Sequence, residues 1–341
     1  MNIAMWHKAL KVMPNVSREE WEGLDFISKW LISTRAAVLI MTFISALLAG
    51  LFAWRDNSFN VVPWLALTFG LVMAHASNNL LNDYIDYIRG VDQKNYYRAM
   101  YGVQPLVHGL MSKRKHLAYF TVTGTLALGI GLYLIWYNSF DPFIWILLGI
   151  GAFLLLFYTW PLKYIAMGEL AVFIVWGPLM IAGGYYVIVH QWNWNVALAS
   201  IIYGLSVTTV IFGKHIDKMP VDREKKIHTL PSLVGERIAR YMVIGMMISP
   251  YLLIIYLIAV QYFTPLMLIV LFAVPRLRQV LPAFLKPRPT ERPAGFPEGQ
   301  GGWPLYFAPL AFTYNSSFGT LFVLSLIADV LIRILLPAFW R

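Results

Sequence analysis

Apolar runs long enough to cross a membrane recur along this chain, and they constrain its fold more than any other feature. A spanning helix needs roughly 20 mostly apolar residues. Inside lipid every backbone polar group must be hydrogen-bonded within the protein, so a chain with several such runs folds as a bundle of helices. We therefore predict an all-α polytopic membrane protein with about nine transmembrane helices. The predicted spans are residues 33–54, 61–82, 117–137, 142–160, 168–190, 195–215, 242–262, 264–284 and 304–338.

Two of these runs are irregular. The eighth is interrupted by Pro275, Arg276 and Arg278, so the sequence leaves open whether it crosses the whole bilayer. The ninth is longer than one crossing needs, which leaves room for a loop or a re-entrant segment in its first third.

The composition agrees with a membrane location. The chain is 59% hydrophobic and 13% charged, whereas a soluble domain is nearer half apolar and a quarter charged. The absence of cysteine excludes disulfides, thiolate catalysis and cysteine-ligated metals. Because no long soluble stretch remains, the function must lie in the membrane or in the loops beside it.

The positive charges fall mainly on one side of the predicted layout. All Lys and Arg residues except Arg55, Arg333 and Arg341 lie in the N-terminal segment or in alternate loops. Positive residues stay cytoplasmic, so we predict a cytoplasmic N-terminal segment at residues 1–32 and one transmembrane domain at 33–341. This sidedness accounts for the net charge of +10 without nucleic acid. The expected location is the cell membrane, as a multi-pass protein.

The stretch NDYIDYIRGVD, which ends the second predicted span, carries the first acidic cluster. Asn82 and Asp86 are four residues apart and share one face of a helix, with Asp83 beside them. A glycine then lets the chain turn, so that Asp92 can fold back toward Asp86.

A second acidic cluster, Asp217 and Asp222, ends the sixth predicted span. The second and sixth spans cross in the same direction, so both clusters surface on the same side of the bilayer. Carboxylates that converge repel each other unless a cation lies among them. Mg²⁺ prefers oxygen ligands and commonly joins one or two carboxylates to a substrate phosphate. The expected metal ligands are Asp86, Asp92, Asp217 and Asp222, and the nearby cations that could hold a phosphate are Lys94, Arg98, Lys163, Lys214, Lys218 and Arg223.

Each of these signals also has a plainer interpretation. An acidic helix end is often only a solvated boundary, and a single Lys or Arg is often only a topology signal. Two acidic clusters on spans of the same direction favour a site over a boundary. Acids for a metal and bases for a phosphate, both at a lipid interface, suggest a lipid diphosphate as the substrate.

At these two clusters the sequence resembles the UbiA superfamily of intramembrane prenyltransferases. The first family motif is Asn-x-x-x-Asp followed by a third acid, and here it falls on Asn82, Asp86 and Asp92. The six-residue step to the third acid resembles the menaquinone-pathway branch. The second motif is commonly Asp-x-x-x-Asp, whereas Asp217 and Asp222 are five apart. A local bend at the proline between them would absorb the difference.

The stretch YTWPLKYIAMGEL, with Tyr158, Lys163 and Glu169, resembles the family's loop after the fourth span. The resemblance implies Mg²⁺-dependent transfer of a polyprenyl group from a polyprenyl diphosphate to an aromatic acceptor, with 1,4-dihydroxy-2-naphthoate favoured by the motif spacing. It implies catalytic roles for Asn82, Asp86, Asp92, Asp217 and Asp222, and substrate-binding roles for Asp83, Arg98, Tyr158, Lys163, Lys218 and Arg223.

Two alternatives stay open at this point. The acceptor could be another quinone precursor, a tetrapyrrole or a glycerophosphate headgroup. An ion-coupled transporter is the rival class, but transporters usually place their charged site near the midplane, whereas these acids lie at helix ends.

The residue that takes the acceptor's proton is open among Asp83, Glu169 and His215. His75 is expected to hydrogen-bond a neighbouring helix.

Overall fold

Helices make up nearly all of the regular structure in residues 1–91, 102–299 and 302–336, which the computed structural model describes. No β-strand occurs within those ranges. Three short helices come first: α1 (Ile3–Lys11), α2 (Arg18–Gly23) and α3 (Phe26–Ser33). Ten more follow: α4 (Ile40–Arg55), α5 (Val61–Ile88), α6 (Lys113–Tyr137), α7 (Pro142–Phe157), α8 (Gly168–Val189), α9 (Trp194–Glu224), α10 (Leu230–Val234), α11 (Glu236–Ala259), α12 (Pro265–Leu285) and α13 (Phe307–Leu335).

The long apolar helices confirm the predicted all-α polytopic architecture. In the described part of the chain, eight helices are long and apolar enough to cross a membrane. The short helix α7 has 16 residues and is about 24 Å long at the usual rise per residue. It occupies the fourth predicted span. Nine crossings and a cytoplasmic N-terminus remain predictions.

Helices α5 and α9 extend well past their predicted spans. They contain 28 and 31 residues, which corresponds to roughly 42 and 46 Å. The hydrocarbon core is only about 30 Å thick, so each helix has two or more turns to place outside it. The polar residues that ended the predicted spans continue the helix instead of terminating it, and both acidic clusters therefore lie on helix.

The two irregular runs are both helical. Helix α12 is continuous, with a tighter 3₁₀ stretch at Pro265–Ala273 followed by α-helix at Val274–Leu285. Pro275 falls just after the point where the 3₁₀ stretch passes into the α-helix. Helix α13 begins at Phe307, so the expected loop or re-entrant first third is not present.

Helix α9 lies at the centre of the bundle and packs against α8, α11 and α13. A second apolar cluster joins the N-terminal helices to α5 and α6. In this cluster Trp21 and Leu31 are buried together with Leu80 and Tyr119. The first 33 residues are therefore packed on the bundle, close to the helix end that carries the first acidic cluster.

Candidate active site

Helices α5 and α9 line one cavity of about 1010 Å³. From α5, Asn82 and Asp86 line its wall, and from α9, Lys214, Lys218 and Asp222 do so. Residues four apart lie on one helix face, so the side chains of each set project into the cavity from the same face of their helix. Both acidic clusters thus contribute to the same cavity, although not through every residue that the sequence suggested.

Asp86 is held by a lysine from a neighbouring loop. Lys163 Nζ lies 3.0 Å from Oδ1 and 3.0 Å from Oδ2 of Asp86. The loop is fixed by a short 3₁₀ turn at Leu162–Tyr164 and by a 2.9 Å hydrogen bond from the Lys163 backbone N–H to the Tyr158 carbonyl. Lys163 and Tyr158 both line the cavity, and their substrate-binding roles stay predictions.

Both the oxygen and the nitrogen of the Asn82 side-chain amide are hydrogen-bonded. Its Nδ2 donates to Thr159 Oγ1 at 3.0 Å, and its Oδ1 accepts from Arg35 Nη2 at 3.0 Å. Arg35 also pairs with Asp83. Asp83 is buried and does not line the cavity, because the next residue along a helix is turned about 100° away. Its expected contact with substrate is therefore replaced by a contact with Arg35, which sequence reasoning had counted only as a topology charge.

In the second cluster, Asp222 is the carboxylate that faces the cavity. Lys218 lies one helical turn before it, with Nζ 3.8 Å from Asp222 Oδ1. Both residues are buried from bulk solvent, at 8% and 2% exposure. A step of four residues back from Asp222 lands on Lys218, so this chain has a lysine where the family's second motif commonly has an acid.

Asp217 faces the opposite way, toward the start of α13. Its carboxylate accepts backbone N–H groups from Tyr306 at 3.0 Å, Phe307 at 3.1 Å and Ala308 at 2.9 Å. Arg288 Nε lies 3.5 Å from Oδ1. The first N–H groups of a helix have no partner within the helix, and Asp217 supplies one from outside. The structure therefore gives Asp217 a helix-capping position, not the cavity-facing position expected of a metal ligand.

The remaining predicted residues do not contribute described cavity contacts. Arg223 is exposed and is absent from the cavity wall. Asp92, Lys94 and Arg98 lie outside the described residues, so their predicted roles stay predictions.

His75 and His215 both line the cavity, and their hydrogen-bond partners differ. His75 Nδ1 lies 2.8 Å from Thr42 Oγ1 on α4, which is the helix-to-helix hydrogen bond that we expected. His215 Nδ1 lies 2.5 Å from Glu169 Oε1, and Glu169 also accepts the Leu230 N–H at 3.1 Å. This hydrogen bond to Glu169 orients the His215 ring.

The donor set fits Mg²⁺ bound together with a phosphate. Asp86, Asp222 and Asn82 line the cavity with side chains that carry oxygen atoms, and Mg²⁺ needs only one or two carboxylates when phosphate oxygens complete its coordination. Within the described ranges no group of three or more His, Cys, Asp or Glu residues is positioned to hold a metal without such help. Lys163 Nζ contacts both carboxylate oxygens of Asp86. A metal ion bound at Asp86 would share these oxygens with the lysine.

Comparison with known proteins adds a family and a group of relatives. The model of the UbiA prenyltransferase family matches residues 42–295. The 1,4-dihydroxy-2-naphthoate octaprenyltransferase of Escherichia coli (strain K12) is 28% identical over 218 residues, which cover 62% of this chain and 70% of that protein. The 2-carboxy-1,4-naphthoquinone phytyltransferase of Synechocystis is 27% identical over 220 residues, covering 62% and 67%.

Solved structures share the fold at low sequence identity. A UbiA homologue from Aeropyrum pernix K1 superposes with a TM-score of 0.63 at 16% identity, over 85% of this chain and 98% of that one. A UbiA homologue from Archaeoglobus fulgidus, solved bound to GPP and Mg²⁺, superposes with a TM-score of 0.56 at 15% identity, over 89% and 99%.

Proposed function

The chain belongs to the UbiA prenyltransferase family, and from that premise we propose that it transfers a polyprenyl group from a polyprenyl diphosphate to 1,4-dihydroxy-2-naphthoate. The observation that carries this proposal is the division of one cavity into two parts. Asp86, Lys163, Lys218 and Asp222 all line the cavity. The chain just after α5 and the chain just after α9 are joined by a hydrogen bond from the Lys225 side chain to the Val91 carbonyl, and we call the part of the cavity beside these helix ends the polar end. Most of the remaining wall is apolar. A prenyl diphosphate has the same division between a charged head and an apolar chain.

The polar end is suited to an anion. Among the described residues that line the cavity, five side chains carry a fixed positive charge and two are carboxylates. Lys163 and Lys218 line the cavity, and each lies beside one of those carboxylates. Fixed cations aimed at a leaving group stabilise the charge that develops on it. The five cations are Lys11, Arg35, Lys163, Lys214 and Lys218.

Asp86 and Asp222, with the amide oxygen of Asn82, would hold Mg²⁺ together with the diphosphate. When bound, the ion supplies Lewis-acid neutralisation of the leaving diphosphate. Asp217 supports the site at a distance. By capping α13 it fixes the start of the helix whose residues Ala308 and Pro309 line the cavity.

The rest of the cavity accommodates the chain and shields the reacting carbon. Its wall is built mainly from apolar residues of α6, α7 and α8, such as Leu128, Leu148 and Leu179. During transfer the bond between the prenyl carbon and the diphosphate oxygen breaks, and a carbon–carbon bond to the acceptor ring forms. The ring carbon then releases its proton, or its carboxyl group as carbon dioxide. A water-poor cavity favours the acceptor over hydrolysis.

The choice of acceptor is supported by the relatives and by the first acidic motif. The named naphthoate and naphthoquinone prenyltransferases among the relatives support an aromatic naphthoate, as does the six-residue step in the first motif. In the residues that the structure describes, eight long apolar helices support a multi-pass membrane location, and we propose the cell membrane.

Product identification tests the proposal directly. The purified protein in lipid nanodiscs is given one polyprenyl diphosphate, Mg²⁺ and one acceptor at a time: 1,4-dihydroxy-2-naphthoate, a hydroxybenzoate, or a glycerophosphate. Mass spectrometry should find a prenylated naphthoate and far less of the other two products. Prenylation of the hydroxybenzoate or the glycerophosphate alone would overturn the acceptor, and release of diphosphate with no prenylated product from any acceptor would overturn transfer.

A further inference from the structure

The segment before the first spanning helix forms part of the cavity wall. Lys11, Val12 and Met13 all line the cavity, although the family match begins only at residue 42. We call residues 3–14 the N-terminal wall. It comprises α1 and the extended residues that follow it, with Val12 at φ −140° and ψ 160°.

One carboxylate fastens the N-terminal wall to α3. Asp25 caps α3 by accepting the Ser28 N–H at 3.0 Å. The same side chain accepts the Asn2 backbone N–H at 2.7 Å and the Trp6 indole N–H at 3.1 Å. Desolvation raises the pKa of Asp25, but these hydrogen bonds outweigh it and hold the pKa well below its ordinary value. The fastening carboxylate therefore stays ionised at neutral pH.

The other end of the wall is fixed by close backbone packing. Gly102 has φ +104°, and a Cβ added there would lie 2.7 Å from both the Cβ and the carbonyl oxygen of Met13. The Val103 N–H donates to the Pro14 carbonyl at 3.4 Å. A residue with a side chain at position 102 would push the wall away, so the glycine is what permits the approach.

The wall lies beside the polar end of the cavity. Helix α1 packs on α3 and on the 3₁₀ turn Ala36–Val38, which directly follows Arg35. Arg35 in turn donates to Asn82. Val12 and Met13 line the same cavity as Asn82 and Asp86, and helix α1, which precedes them, contacts Asn82 through the Ala36–Val38 turn and Arg35.

From this placement we propose that the N-terminal wall keeps water from the prenyl carbon while its bond to diphosphate breaks. The inference rests on the proposed function. Without the wall, water would replace the acceptor: the carbon–oxygen bond to diphosphate breaks, a water oxygen bonds to the same carbon, and a proton is released. The products would be a prenol and diphosphate.

The test compares hydrolysis with transfer in the same reaction. Wild type, a variant lacking residues 2–13, and a Val12→Ser, Met13→Ser double variant are assayed in nanodiscs in ¹⁸O-labelled water, with Lys8→Ala, an exposed residue of α1, as the control. Mass spectrometry measures the prenol and the prenylated naphthoate. In both wall variants the ratio of ¹⁸O-labelled prenol to transfer product should rise above the wild-type ratio, and in Lys8→Ala it should not change.

The result that overturns the inference is an unchanged ratio in the double variant, whether total turnover falls or not. If the deletion variant does not fold, the double variant alone tests the inference. The wild-type reaction alone tests the proposed function, because wild type forms no prenylated naphthoate if that proposal is wrong. If only the proposal about the wall is wrong, wild type forms prenylated naphthoate and the wall variants keep the wild-type ratio of prenol to transfer product.

Discussion

Lys163 Nζ is equidistant from the two carboxylate oxygens of Asp86, at 3.0 Å from each. Their side chains are only 11% and 7% exposed. A buried ion pair is weak evidence for stability, because the cost of desolvating both charges offsets much of their attraction. The pair also lines the cavity, where a diphosphate or a metal ion could separate it. We therefore interpret it as a site component that exchanges partners when substrate binds.

Replacing Lys163 with methionine should weaken use of the prenyl diphosphate. The change keeps most of the side-chain length and removes one charged hydrogen bond, which is worth about 1.5–3 kcal/mol. We expect kcat/KM for the diphosphate to fall about 10- to 150-fold. Steady-state kinetics with saturating acceptor would measure this. Lys115→Met, at an exposed position on α6, is the matched control, and equal kinetics for the two variants would contradict the role of Lys163.

Replacing Asp86 with asparagine should remove transfer without removing the fold. Asparagine is nearly isosteric but cannot supply a negative charge to a metal. Loss of one transition-state electrostatic group typically lowers kcat about 10²- to 10³-fold, and we expect a loss of at least that size. The turnover assay is paired with size-exclusion chromatography in detergent. Monodisperse Asp86→Asn with wild-type turnover would rule out metal or phosphate chemistry at this carboxylate.

Replacing Asp217 with asparagine should instead act on stability. One amide oxygen cannot accept from all three N–H groups that now contact the carboxylate, so at least one buried donor is left without a partner. Such a donor costs about 1–3 kcal/mol, and we expect the free energy of unfolding to fall by that amount. Thermal unfolding in detergent gives the shift, with Mg²⁺ activation measured alongside. Lost Mg²⁺ activation at unchanged stability would restore the metal-ligand role that the sequence suggested.

Sequence alone located both clusters, because each ends an apolar run and both runs cross in the same direction. The four-residue step from Asn82 to Asp86 also predicted their common helix face, whereas the four-residue step from Lys218 to Asp222 was recognised only in the structure. The sequence did not show which of the two carboxylates, Asp217 or Asp222, faces the cavity. This depends on α13, whose backbone at Phe307 lies 2.8 Å from where a Cβ on Gly213 would stand, and this close packing brings the start of that helix to the face that carries Asp217.

The N-terminal wall was also beyond prediction from pattern. Its contacts join Asp25 to Trp6 and Met13 to Gly102, pairs whose meeting depends on how the helices pack. Residues 1–32 carry charges and short helical stretches but no motif, so only the packed structure places Val12 and Met13 in the cavity. By contrast, the apolar runs were visible at once, because crossing lipid dictates both their length and their composition.

Removal of Mg²⁺ should abolish transfer, and its return should restore activity along a curve for a single ion. The cavity-lining carboxylates among the described residues are Asp86 and Asp222, and each has a lysine beside it that supplies part of the neutralising charge. One ion held by one or two carboxylates and the diphosphate then suffices. Initial rates after chelation, measured across added Mg²⁺ with the total diphosphate held constant, should follow a hyperbola. A sigmoidal dependence would require a second ion, and would direct attention to Asp92 as an additional ligand. Lys218→Asp, which restores an acid four residues before Asp222, should move the wild-type hyperbola toward that sigmoidal form.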